Sequence, residues 1–374
     1  MKQNPKKMNP EPTRLAVAQA KRVRYLGIFA LIVCAIAAHG QPIIRSTKST
    51  RLPITFEADI RFTYDDNIFL YSEKNLKEFQ RSVRPYRFPF ETYDDFITTL
   101  TGALKIRPRL IRRKTSIISL RYRLHHYAVN PVKSYQFFSI NLAQNLIKTV
   151  GVEAGYLFLP KYLIRYYKDP LTQTSPPTYI GCEFAEHLLS TGINYRIKNK
   201  ISLNPFYKFE LDDYNRNFDH YDTKAHRFGL EASYSFIRQI IKLSGKFEYK
   251  IARAQGPIPD ISYDQWAWFV GLKLNPWTFL RRFRGLSFTV NYGQEQRDFV
   301  TSNPSSIDPF HTGREDKIQN FGFGVDIPLT RIISIDLSYG FEKRNVSSPY
   351  KEEIDDIKDY KNNKIKLEFS LRRF

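Results

Sequence analysis

Apolar and polar residues alternate one by one from Phe56 onward, in runs of about ten residues. Phe56, Ala58, Ile60, Phe62 and Tyr64 fall on one face of an extended chain, and Glu57, Asp59, Arg61 and Thr63 on the other. A helix, with its period of about 3.6, would mix the two sets. The same alternation recurs in Phe96–Arg107 and Ile118–His125. It returns in segments centred on Ile140, Tyr156, Ile193, Tyr207, Leu230, Phe247, Val270, Phe288, Val325, Leu337 and Leu367. The pattern predicts about fourteen strands, an even number, as a single-chain bacterial barrel needs when both termini lie on one side. About ten residues is also the length of a tilted strand that crosses hydrocarbon.

The connections alternate in length. Those after odd strands are long (Ser72–Asp95, Tyr167–Gly181, Gln294–Asp316, Glu342–Tyr360), and most after even strands are brief (Ile147–Val150, Lys198–Lys200, Pro328–Arg331). This asymmetry separates extracellular loops from periplasmic turns. The expected fold class is all-β: a transmembrane antiparallel β-barrel.

Composition changes the picture in one respect. A mean hydropathy of -0.44 with 25% charged residues excludes a polytopic helical membrane protein. A barrel escapes that test, because its lumen-facing residues dilute its hydropathy. The 24 Tyr and 29 Phe exceed what a polar soluble core needs and suit membrane interfaces.

Tyr25–Ala38 is one fourteen-residue apolar segment, preceded by Lys21, Arg22 and Arg24 and followed by small residues. It reads as a signal peptide cut near Gly40-Gln41, with a single-span anchor as the alternative. Residues 1–40 are thus expected to leave and 41–374 to form the barrel. Val33 before Cys34 is too bulky for the usual lipidation box, and Cys182 is then the one mature cysteine, so no intrachain disulfide is expected. The whole chain carries a net charge of +21. Nucleic acid is not the expected partner, for there is no zinc-ligand spacing or basic recognition helix. Basic turns at Arg107–Lys114 and at Arg281, Arg282 and Arg284 are solvated, or they meet anionic lipid phosphates.

At Tyr64 the chain reads YDDNIF, ending the first strand before a long loop. Asp66, Asn67, Ile68 and Phe69 resemble a motif of outer-membrane β-barrel families that include porin-like proteins of Gram-negative exopolysaccharide export systems. The resemblance covers under about a tenth of the chain and implies architecture more than substrate. The chain ends at Phe374, as many such barrels end on an aromatic residue. Here Ile365, Leu367, Phe369 and Leu371 form the apolar set, while Arg372, Ser370 and Glu368 share the parity of Phe374. The last strand then ends at Leu371, or a bulge restores register.

The polar parity predicts the pore lining: Glu57, Asp59, Arg61, Lys105, Arg107, Arg121, Arg123, Arg196, Lys208, Glu210, Lys246, Glu248, Lys250, Lys273, Lys366 and Glu368, with Glu153, Glu231, Asp326 and Asp336. A modest cationic excess would favour anionic solutes; alternatively the charges pair and fill the lumen. Asp65-Asp66, Asp94-Asp95 and Asp212-Asp213 sit at predicted extracellular strand ends, as does Asp355-Asp356, and are solvated ends or weak candidates for a divalent cation. Tyr64, Tyr93 and Tyr214 beside them are expected in an aromatic girdle. His125, His126, His187, His220, His226 and His311 offer general bases, yet no GxSxG nucleophile spacing accompanies them.

The expectation is an outer-membrane, porin-like channel without cofactor, passing hydrophilic solutes, anionic ones among them, or polysaccharide down a gradient. Its expected partners are outer-membrane lipid, lipopolysaccharide, the barrel-insertion machinery and the solute or glycan. A closed structural barrel with adhesive or partner-binding loops is the alternative, and an outer-membrane hydrolase the third reading.

Overall fold

The computed structural model describes residues 54–372 except 109, 112–113, 115, 173, 199, 237–239, 257, 277–284, 331 and 351–353. The expected signal peptide, Gln41–Pro53, Arg281, Arg282, Arg284 and Phe374 lie outside the described residues.

Fourteen antiparallel strands form one closed barrel, each paired with its sequence neighbours. They are β1 (Ile54–Asp65), β2 (Asp95–Ile106), β3 (Ser116–Tyr127), β4 (Tyr135–Asn145), β5 (Val150–Lys168), β6 (Tyr179–Ile197) and β7 (Ile201–Tyr214), then β8 (Thr223–Phe236), β9 (Ile241–Ala254), β10 (Tyr263–Leu274), β11 (Ser287–Phe299), β12 (Glu315–Pro328), β13 (Ile333–Ser347) and β14 (Tyr360–Arg372). Closure comes from β1 and β14, in register from Glu57↔Arg372 to Asp65↔Lys364. None of these fourteen strands is left with an unpaired edge, which removes the route to edge-to-edge aggregation. Among the described residues the α-helices are α1 (Glu73–Gln80) and α2 (Ile354–Lys358), both in loops.

Every segment expected to be a strand is one. The strands run further than the alternation alone indicates, so the loops are shorter. β5 reaches Lys168 and β6 begins at Tyr179, which leaves 169–178 as the connection. Likewise β11 extends to Phe299 and β13 to Ser347. Ladders persist above the hydrocarbon because backbone pairing does not need an apolar face. In β14 the register is continuous to Leu371 with β13 and to Arg372 with β1. Over these residues no bulge intervenes, and Ile365, Leu367, Phe369 and Leu371 stay on one face.

That face is the outside. Phe56, Leu100, Ile140, Leu189, Phe228, Phe247, Leu337 and Ile365 are all exposed, each on a different strand. They pack laterally in cross-strand pairs such as Tyr122 with Phe138, whose ring centroids are 4.9 Å apart. Such pairs contribute about 0.2–1 kcal/mol each. An apolar surface this large, continuous around a barrel, is what hydrocarbon requires and water penalises. No helix among the described residues is long and apolar enough to cross a membrane. The chain spans with strands.

Two prolines mark the irregular places. Pro160, which cannot donate to the ladder, lies in the first of two register shifts between β5 and β6, at Leu159/Tyr162 and Leu163/Arg165. Pro205 lies where the β6–β7 register stops at Gly192↔Phe206 and resumes at Tyr195↔Leu203.

Candidate functional site: the lumen and its mouth

Strand parity sends one set of side chains inward. Contacts that skip a strand identify the concave face, since only there do next-nearest strands meet. Lys250 on β9 reaches Glu210 on β7 at 2.5 Å, and Asn204 on β7 reaches Glu153 on β5 at 3.2 Å. The register puts the charged residues named from the sequence on this face. Lys105 bonds Glu57 at 2.7 Å, Arg107 donates to Thr55 Oγ1 at 2.6 Å, and Arg61 pairs with Glu368. Arg121 and Arg123 stand opposite Ala103 and Thr101, Arg196 opposite Ser202, and Lys273 opposite Lys242. Asp59 faces Ser370, and Lys366 faces Thr63.

Charges are unevenly matched along this wall. Glu210 and Glu248 share three cations: Arg227 bonds them at 2.7 and 2.9 Å, Lys250 holds Glu210 and Lys246 holds Glu248, both at 2.5 Å. On β3, Arg123 donates to Thr101 Oγ1 at 3.0 Å, and Arg121 Nε has no partner among the described residues. Glu186 and Asp212 face one another across β6 and β7 on the same inner surface. The lumen therefore carries both signs, with a guanidinium wall on β3 and a carboxylate pair on β6–β7.

Sequence reading missed several inward residues. Arg227 has the parity of Glu231 and was legible on that ground. Arg297 lies in what reads as loop but is β11. Arg165 has the parity of Glu153, because the two one-residue register shifts before it cancel, and was legible on that ground; Tyr162, between the shifts, was not.

The mouth is built by the loop between β1 and β2. Phe69, Tyr71, Phe88 and Phe90 cluster with Ile97, Tyr127 and Leu163. Ile97 and Tyr127 are paired on the parity of Arg61, so the loop's rings dip into the barrel. Phe69 and Phe90 stack at 4.3 Å, and Phe79 of α1 stacks on Phe90 at 5.1 Å. Ser72 caps α1 by accepting the Asn75 N–H at 3.2 Å. The YDDNIF segment fastens this loop. Asn67 Nδ2 donates to Tyr71 O at 2.8 Å and to Lys361 O at 3.0 Å, and its Oδ1 accepts the Tyr71 N–H at 2.8 Å. Asp66 accepts both the backbone N–H and the side-chain amide of Asn363 at 2.7 Å.

Two further groups sit under the loop. Lys133, in the β3–β4 connection, is buried and donates to the carbonyls of Leu163 and Ile164, beside the rings of Tyr162 and Phe69. Burial, and then the charge of Arg165, lowers its ammonium to about 7. Tyr71 lies against the Arg165 guanidinium, and burial pushes its hydroxyl up to about 12.

The acidic pairs are largely engaged by the protein. Asp65 takes the Asn67 N–H and Lys364, and Asp94 takes the Tyr64 hydroxyl at 2.8 Å. Asp95 accepts N–H groups of Phe96, Val129 and Asn130. Asp212 faces inward and Asp213 is exposed. Among the described residues no cluster of three or more His, Cys, Asp or Glu side chains suits a metal ion. The girdle reading needs correction at two residues. Tyr214 shares the inward parity of Asp212 and packs on Phe184, while Tyr93 packs edge-on to Phe79 in the loop core. The histidines are scattered. His125 faces inward and stacks on Tyr135, whereas His126, His187 and His226 share the outward parity. His311 bonds Asp308 at 2.8 Å within the β11–β12 loop.

No protein-family model and no curated protein matches the chain. Solved structures do resemble it. A structure titled outer membrane channel DcaP of Acinetobacter baumannii is 11% identical, with 88% of this chain and 100% of that one covered and a TM-score of 0.47. The anion-selective porin from Comamonas acidovorans is 8% identical over 86% and 99%, with a TM-score of 0.43. A bacterial polysaccharide outer membrane secretin is 11% identical over 85% and 98%, with a TM-score of 0.41. The assignment of the fold rests on the strand register, and these likenesses add nothing about what passes through this barrel.

Proposed function

We propose that the protein is an outer-membrane channel of the porin kind, through which hydrophilic solutes or polysaccharide pass down their gradient without chemical change. The observation that carries this reading is the pairing of a closed ladder with an apolar exterior and a charged, hydrogen-bonding interior. Exterior and interior suit a bilayer and an aqueous path respectively. Anionic solutes are favoured in this reading by Arg121 and Arg123, which project from β3 without a carboxylate partner among the described residues. Purified protein in planar bilayers is expected to give stable current steps and a reversal potential on the anion side. Absence of steps across salt conditions overturns the channel, and cation selectivity overturns the anion preference alone.

A second reading has its own observation. The loop cluster of Phe69, Tyr71, Phe88 and Phe90 packs against inward-facing Ile97 and Tyr127, which favours a barrel shut at the mouth and used as a surface for partners. Deleting the loop separates the two: a shut barrel begins to conduct, whereas an open channel merely changes its conductance.

A further inference from the structure

On the inner wall between β6 and β11 lies a recess of about 460 Å³, inside the range of about 300–1,000 Å³ found for small-molecule sites. Its polar lining is two-thirds uncharged: Asn194, Asn204 and Asn291, with Ser202, Ser233 and Ser244, beside Glu231, Lys242 and Lys246. A wall that needed only water would be free to use any polar residue, and most of this lumen uses Lys, Arg and Glu. Here amides and hydroxyls converge from strands β6 to β11.

The recess also holds flat aromatic surface. Phe269 lies across Gly293 on the neighbouring strand, and a Cβ at that glycine would stand 2.2 Å from the ring's Cδ1. Phe206, the adjoining ring on β7, lies across Gly229 in the same way, with its Cζ 2.3 Å from a Cβ there. Each glycine is what lets a ring lie down on the sheet. Both rings have the inward parity and are partly exposed, and Phe269 lines the recess. Lys246 Nζ lies 5.4 Å and 5.6 Å from the two ring centroids and so joins the plates.

One acceptor in this wall is unsatisfied. Pro205 interrupts the β6–β7 ladder, and beside the break Asn194 and Asn204 turn their amide nitrogens to Glu153 at 3.1 and 3.2 Å. The buried Oδ1 of Asn204 then has no partner among the described residues.

We propose that this recess is a pyranose-binding subsite of the lumen. A sugar ring has one face of C–H groups for a phenyl plate and a rim of hydroxyls for amides and serines, the two features found together here. Phe269 supplies the plate, and Asn291 with Ser202 and Ser233 the hydroxyl contacts. The inference deepens the channel reading, but binding is measured without conduction, so either can fail alone.

The test is equilibrium dialysis of the detergent-solubilised full chain against labelled glucose and cellobiose, with sorbitol as the open-chain polyol. Glucose and cellobiose are expected to bind in the millimolar range and sorbitol much more weakly. F269A should weaken glucose about tenfold, F269Y should restore it, and G293A should weaken it by lifting the ring. Folding of each variant is checked by its heat-dependent gel mobility. Equal binding of sorbitol and glucose, or undiminished binding by folded F269A, overturns the proposal.

Discussion

The carbonyl oxygen of Asn67 accepts the side-chain amide of Asn362 at 3.2 Å, joining the first loop to the last strand across the closure of the barrel. Asn67 returns the contact through its own amide to Lys361. The seam between β1 and β14 is therefore continued above the ladder by side chains, and the loop that narrows the mouth starts from this fixed point.

N67A should loosen the mouth while sparing the barrel. It removes three side-chain hydrogen bonds, two of them buried, and strands the Tyr71 N–H, a cost of about 2–4 kcal/mol to the loop's seating. Proteolysis within residues 66–94 should accelerate, and bilayer currents should become larger or noisier. Unchanged cleavage would show that the aromatic cluster alone seats the loop.

Lys133 makes the same region sensitive to pH. Its ammonium is lowered in the folded protein to about 7 from an ordinary 10.5, so between these values the unfolded loop binds more protons than the folded one. Loop stability should therefore rise with pH from about 7 to about 10.5 and level off below 7, with a total change on the order of a few kcal/mol. Hydrogen exchange of the 128–134 amides, corrected for intrinsic rates, reads the effect. K133M should flatten the profile; a profile as steep as that of the unaltered protein assigns the dependence to another group.

The strands were legible because hydrocarbon on one face and water on the other impose a period of two that few sequence positions can break. Pro160 breaks it, and Tyr162 turns inward against the period before a second shift restores the parity at Arg165. The mouth was opaque for a different reason. Phe69, Phe88 and Phe90 are indistinguishable in sequence from interfacial aromatics, and their inward placement shows only in their packing on Ile97, Tyr127 and Leu163. Lys133 resembles any solvated loop lysine until the carbonyls of Leu163 and Ile164, beside the β5–β6 register shifts, are seen to need a donor. Asp66 and Asn67 look like strand-end solvation, yet they act as clamps. Local patterns carry the ladder, whereas the mouth depends on contacts between segments about three hundred residues apart.

The lipid face and the lumen face should respond oppositely to charge. Leu230 is exposed on the outer surface of β8, next to Glu231 on the inner one. L230R should cost about 2–4 kcal/mol in a bilayer, less if the site lies near an interface. E231Q should cost about 1 kcal/mol or less. Denaturant titration of protein folded into vesicles compares them, and equal effects would mean that one of the two faces is misassigned.

Arg227 bridges two carboxylates at once, which gives it a different mutational signature from its neighbours. In R227M each carboxylate retains one lysine, Glu210 with Lys250 and Glu248 with Lys246. The loss should thus stop at about 1–3 kcal/mol, short of the about 3–5 kcal/mol expected when a buried charge is left alone. R227K should recover little of it, because a single ammonium cannot present the forked donors that reach both acids. Adding K250M to R227M strands Glu210, so the double variant should lose more than the sum of the two single losses. Denaturant titration of the three variants in vesicles measures that excess, and strict additivity would show that the two carboxylates are solvated independently by lumen water.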